Sequence, residues 1–155
     1  MIPKKILFCT DFSENSRAAL QCAIEYAKAF EASLSILHVL NSSRLGYPAF
    51  EIGVPFDLQS VLKALEESVA KAFEDLVDDC KKVVGDVKTF SRMGVPANEI
   101  VRLADEESID LIIMGTHGWT GFRHLILGST AENVVRSANC PVMTVKSSAQ
   151  GEDMP

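Results

Sequence analysis

Four glycines fall in one short stretch, Gly115, Gly118, Gly121 and Gly128, and the last is followed by Ser129 and Thr130. Glycine adopts backbone conformations that a Cβ resists and lets amide N–H groups approach a ligand closely. The Gly128-Ser129-Thr130 run stands at the head of a helical pattern. Unpaired amides and the positive dipole end at a helix start suit a phosphate. The competing reading is that these glycines only shape a long turn, with Ser129 as an ordinary N-cap. No Lys precedes the Ser-Thr pair, so the stretch is not a P-loop, and it lacks the tight G-x-G-x-x-G of dinucleotide sites. His117 could donate to a phosphate or stand in water, and Arg123 and His124 divide the same way. Trp119 would cover a ligand or pack against the loop. A second candidate is Asp11, at the end of an apolar run. It is placed either to meet a ligand or, in Asp11-Phe12-Ser13-Glu14, to cap a helix with capping-box spacing.

The elements that must hold these residues alternate in type. Lys5–Thr10, Leu34–Leu40, Asp86–Ser91, Ile109–Gly115 and Pro141–Lys146 read as strands, the third the weakest and the fourth the most apolar. Ser13–Phe30, Asp57–Val84, Ala97–Glu107 and Ser129–Ala138 read as helices. The second of these carries the stripe Leu58, Leu62, Leu65, Val69, Phe73, Leu76 and Cys80, which is expected to be core. Residues 41–56 are rich in Gly, Pro and Ser and read as a long loop, and the polar 147–155 tail is expected to be disordered. Strand and helix in alternation imply an α/β fold, a single doubly wound five-stranded parallel sheet with helices on both faces. Ligands in such sheets sit beyond the carboxyl ends of the strands, where strand order reverses. The loops after the first and fourth strands are therefore the places to look.

Composition sets the outer bounds. The chain has 155 residues, 47% hydrophobic and 23% charged, with a net charge of −6. That length suits one domain, expected over residues 1–146. No cationic excess exists to neutralise a phosphate backbone, which argues against a nucleic-acid partner. No stretch approaches the roughly 20 apolar residues of a membrane span. The opening run after Lys4 and Lys5 meets Asp11 at once, unlike a signal peptide, so a cytoplasmic protein is expected. Four scattered cysteines without C-x-x-C spacing read as buried thiols rather than zinc ligands.

Gly115-x-x-Gly118, nine residues, then Gly128-Ser129 resembles the nucleotide motif of ATP-binding universal stress proteins. The opening Ile6-Leu7-Phe8-Cys9-Thr10-Asp11, the Leu37-His38-Val39 triplet and the closing Cys140-Pro141-Val142-Met143-Thr144-Val145 are similar to other strands of that family. The resemblance spans roughly Lys4 to Val145 and implies the strand order 3-2-1-4-5. It implies a nucleotide-binding set of Thr10, Asp11, Val39, Met114, Gly115, Thr116, His117, Gly118, Gly128, Ser129 and Thr130. Within that set Asp11 would meet the ribose and lie near the metal, and Val39 would meet adenine. Trp119 departs from the basic residue that many relatives carry there.

ATP in an acidic protein needs its charge neutralised, so Mg²⁺ or Mn²⁺ is implied, with Asp11 as the metal-side carboxylate. Hydrolysis would also need a base and fixed positive charge at the γ-phosphate. No such set is evident, and a binding and signalling module in the stress response is expected rather than an enzyme. A slow ATPase or nucleotidyl-transferring relative, and a non-nucleotide dimeric interaction module, are the alternatives. A homodimer through strand 141–146 is expected, because that apolar strand would lie at a sheet edge.

Overall fold

Why the strands read as nearly unbroken apolar runs is plain from their surroundings. The computed structural model describes residues 2–42, 58–85, 87–116 and 127–146. Along them run β1 (Lys5–Thr10), α1 (Glu14–Phe30), β2 (Ser33–Asn41), α2 (Leu58–Val84) and β3 (Val87–Gly94). There follow α3 (Pro96–Glu106), β4 (Leu111–Gly115), α4 (Ser129–Ser137) and β5 (Val142–Val145). The sheet is parallel throughout, in the order β3-β2-β1-β4-β5. This is the doubly wound α/β arrangement expected from the sequence.

Side chains alternate across the pleat, so each inner strand feeds two cores. Ile6 and Phe8 join Leu34, Ile36 and Ile113 against α1 and α2. Leu7 and Cys9 join Leu37, Ile112 and Met114 against α3 and α4. A strand covered on both faces has no polar face to show, hence the continuous runs. Between β1 and β4 the chain's direction of travel across the sheet reverses. A crevice opens there at the carboxyl ends of the strands.

Three boundaries differ from expectation for identifiable reasons. β3 runs to Gly94 rather than Ser91, in register with β2 as far as Asn41 opposite Gly94. As an edge strand it exposes alternate residues, which made its pattern look weak. Asn41 itself closes β2 and is not loop, while residues 43–57 lie outside the described set, as does the 147–155 tail. Ile109 is not in β4. Its N–H donates to Ala104 O at 2.8 Å, after Ser108 takes a left-handed φ of 54°, so it seals the end of α3 as a buried anchor. The next residue, Asp110, accepts from the Lys4 and Lys5 amides through Oδ2 at 2.8 and 2.9 Å. That ties the start of β4 to the start of β1. The four cysteines are free thiols; Cys9 and Cys80 are buried, Cys22 and Cys140 partly so.

Candidate functional site

The turn after β1 has a tight local economy of hydrogen bonds. Phe12 holds a left-handed φ of 60°, uncommon for a residue with a bulky side chain. Its N–H donates to Thr10 Oγ1 at 2.9 Å. Asp11 Oδ1 accepts from the Ser13 amide at 3.0 Å and the Ser13 hydroxyl at 2.6 Å. Thr10 Oγ1 also lies 3.1 Å from Ser16 Oγ, which donates to Ser13 O at 2.7 Å. The N-cap of α1 is Ser13, with no side-chain cap bond, so the capping-box reading with Asp11 as cap does not hold. Asp11 instead bonds two residues forward and stays half-exposed at the crevice.

His38 backs this turn. Its Nδ1 stands 2.9 Å from the Thr10 carbonyl, which can only accept, so Nδ1 carries the proton. The ring packs on Phe12 with centroids 4.5 Å apart, and Phe12 in turn meets Phe73 of α2 edge-on at 5.4 Å. Burial draws the His38 pKa below its ordinary value, against the opposing pull of the Thr10 carbonyl and the Asp11 charge.

Across the crevice, α4 begins at Ser129 after Gly128, whose φ and ψ are −70° and 154°. The first helical bond runs from Glu132 N–H to Gly128 O at 2.9 Å. The Ser129, Thr130 and Ala131 amides therefore have no acceptor within the helix, and no side chain among the described residues caps it. Gly128 N–H donates to Thr116 O at 2.8 Å, and Thr116 N–H donates to Val145 O at 3.0 Å. These two bonds pin both ends of the glycine-rich stretch against the sheet. Neither Gly115 nor Gly128 is left-handed, which corrects the idea that both were needed for conformational freedom. What their lack of a Cβ leaves is close access to the backbone at the cavity wall.

These pieces enclose a cavity of about 420 Å³. Thr10 and Asp11 form one side, and Gly128, Ser129 and Thr130 the other. Val39 lies on the β2 wall, with Met114, Gly115 and Thr116 at the end of β4. Pro96 and Ile100 of α3 close the apolar end. Thus the sequence-expected residues among those described meet in one cavity, while His117 and Gly118 lie outside the described residues. Sequence reasoning passed over His38, Pro96, Ile100 and Leu65, which also line it. The readable signals were a histidine interrupting an apolar strand, and the i, i+4 pair Pro96 and Ile100 on one helical face.

The chemistry of the lining is asymmetric. The α4 side offers helix-start amides and hydroxyls, while Val39, Leu40, Pro96 and Ile100 make the β2 and α3 side chiefly apolar, with Asn41 and His38 as its polar groups. Among the described residues Asp11 is the lining's one carboxylate, and neither Lys nor Arg joins it. No group of three or more His, Cys, Asp or Glu among the described residues is arranged to hold a metal. Cys9 sits in the floor, where burial, then the nearby Cys140, push its thiol far upward, so it contributes apolar surface rather than a thiolate.

The sequence profile of the Universal stress protein family matches residues 3–146, which takes in every element of the fold. The chain belongs to that family. Universal stress protein MJ0531 of Methanocaldococcus jannaschii is 37% identical over 147 residues, covering 92% of this chain and 82% of that one. MJ0577 of the same organism is 34% identical over 157 residues, covering 92% and 94%. A solved structure of MJ0577 superposes with a TM-score of 0.82 at 32% identity, over 95% of this chain and 98% of that one. No helix among the described residues of this universal stress protein is long and apolar enough to cross a membrane.

Proposed function

We propose that this universal stress protein binds ATP with Mg²⁺ or Mn²⁺ at the carboxyl ends of β1 and β4, as a regulatory module of the stress response rather than an enzyme. One observation carries the reading: a single cavity joins the open amides of residues 129–131 to an apolar end built from Val39, Pro96, Ile100 and Met114. The first suits phosphates and the second a purine face. The volume of about 420 Å³ lies in the usual range for small-molecule sites. Asp11, between the two ends, is the acceptor for ribose hydroxyls. A metal there fits if bound chiefly by phosphate oxygens and water, as Mg²⁺ commonly is, with Asp11 as the protein's share. His117 and Gly118 belong to the proposed phosphate grip. Two solved proteins of the same fold carry adenine nucleotides. One universal stress protein is in complex with cAMP at 22% identity and a TM-score of 0.68. The Archaeoglobus fulgidus protein is in complex with dAMP at 24% and 0.57. At those identities the likeness carries the fold, and the nucleotide reading here rests on the cavity.

The remaining proposals follow from the same reading. Residues 1–146 form the nucleotide-binding domain, the protein is cytoplasmic, and nucleic acid is not its partner. β5 is a sheet edge with half-buried Val142, Met143 and Val145, and it is proposed to pair with a second copy in a homodimer. Calorimetric titration of nucleotide-stripped protein with ATP, in Mg²⁺ and then in EDTA, tests the reading. Saturable heat that weakens in EDTA supports it, and no heat at millimolar ATP contradicts it.

A further inference from the structure

We propose that His38 is a positioning residue for the cavity: by donating from Nδ1 to the Thr10 carbonyl and carrying the Phe12 ring, it holds the turn that presents Asp11. The inference rests on the nucleotide reading and gives a cavity-lining residue a role exerted through the turn rather than through its own contact with the nucleotide.

Phe12 at a φ of 60° is a conformation a bulky residue avoids, and it persists only where the surroundings impose it. Three contacts do so. The Phe12 amide is bound to Thr10 Oγ1, its ring lies on His38, and its edge meets Phe73. Thr10 is itself 7% exposed and must have its backbone groups satisfied. His38 does this by reaching across from β2, at the register position directly opposite Thr10. One imidazole thus serves both ends of the dipeptide step that sets Asp11. With Nδ1 engaged, the outer nitrogen Nε2 has no part in holding the turn. Phe73 extends the support to α2, so the long helix and the acidic turn share one aromatic contact chain.

Isosteric replacements separate this role from direct ligand contact, because Asn places a donor near Nδ1 and Gln places its amide near Nε2. ATP affinity by calorimetry is read beside hydrogen exchange of the Phe12 amide in nucleotide-free protein. His38→Leu is expected to weaken ATP binding about tenfold or more and to speed Phe12 exchange by a similar factor, as the Thr10 carbonyl loses its donor. His38→Asn is expected to keep both within about threefold of wild type, and His38→Gln to behave like Leu. Rescue by Gln and not Asn would overturn the proposal in favour of an Nε2 contact with ligand. Wild-type affinity or wild-type Phe12 exchange in the Leu variant would also overturn it. Should Leu fail to fold, the Asn and Gln pair decides. A wild-type protein that binds no ATP refutes the nucleotide reading, whereas the exchange arm still judges the hold of His38 on the turn.

Discussion

Ser129→Pro removes from the cavity wall one amide proposed as a phosphate donor, without a structural reason for the fold to fail. Ser129 is the first residue of α4, a position where proline's fixed φ fits and its missing N–H breaks no helical bond. The residue before it, Gly128, already has the extended backbone that a following proline demands. Stability should therefore stay level or rise by up to about 1 kcal/mol through the stiffer unfolded chain. Binding should not stay level. A hydrogen bond to a charged group contributes about 1.5–3 kcal/mol, so losing an amide proposed to face the phosphates should weaken ATP binding roughly 10- to 150-fold. Ser129→Ala keeps the amide and loses only the hydroxyl, and it should cost much less. Calorimetry on wild type and both variants, with melting curves as the check on folding, is the assay. If Ser129→Pro melts normally and binds ATP as tightly as Ser129→Ala, helix-start amides do not hold the phosphates and the reasoning fails.

Three further outcomes follow. Leu103, fully buried on the inner face of α3 in the core that holds Leu7 and Ile112, should cost about 2–5 kcal/mol as Leu103→Ala in urea unfolding; a loss below ~1 kcal/mol would mean that the α3 face is poorly packed. His38 has a folded pKa below its ordinary 6.5, so the unfolded chain takes up the proton first as pH falls. Its contribution is whole above about pH 6.5 and is lost as pH drops toward the lower folded value. The nucleotide-free melting temperature should thus fall more steeply on acidification for wild type than for His38→Asn, with Asp11 the charge that softens the effect, and identical slopes would contradict this. Light scattering should give about twice the 16.9 kDa chain mass for wild type and the chain mass for Val142→Lys, whereas a wild-type value of 16.9 kDa refutes the β5 dimer.

How much of this was legible in sequence depends on which force sets each feature. Burial on two faces writes itself as apolar runs, so strands such as β1 and β4 are readable from Ile6-Leu7-Phe8 and Leu111-Ile112-Ile113, whereas the strand order is implied only by the family resemblance. An edge strand feels solvent on every other residue, so β3 reads in the sequence as ending at Ser91, short of Arg92, Met93 and Gly94. Ile109 shows that an apolar residue beside a strand need not belong to it, since the same side chain can seal a helix end. Asp11 was found by its place at the end of β1, but its bonds to Ser13 rather than a cap depend on the left-handed Phe12, which no pattern announces. His38 escaped because its partner is a carbonyl on a neighbouring strand, a contact created by register alone. Of the two reasons that single out Gly128 in the sequence, backbone freedom does not apply, because its φ of −70° and ψ of 154° suit any residue, and close approach to the backbone is the one that remains.

The most direct test of the central claim is a crystal structure of the protein grown with ATP and Mg²⁺. Adenine is expected between Val39, Pro96, Ile100 and Met114, phosphates at the amides of residues 129–131, and Asp11 at the ribose or its metal. Nucleotide bound elsewhere, or a saturated crystal whose cavity stays free of it, would contradict the account.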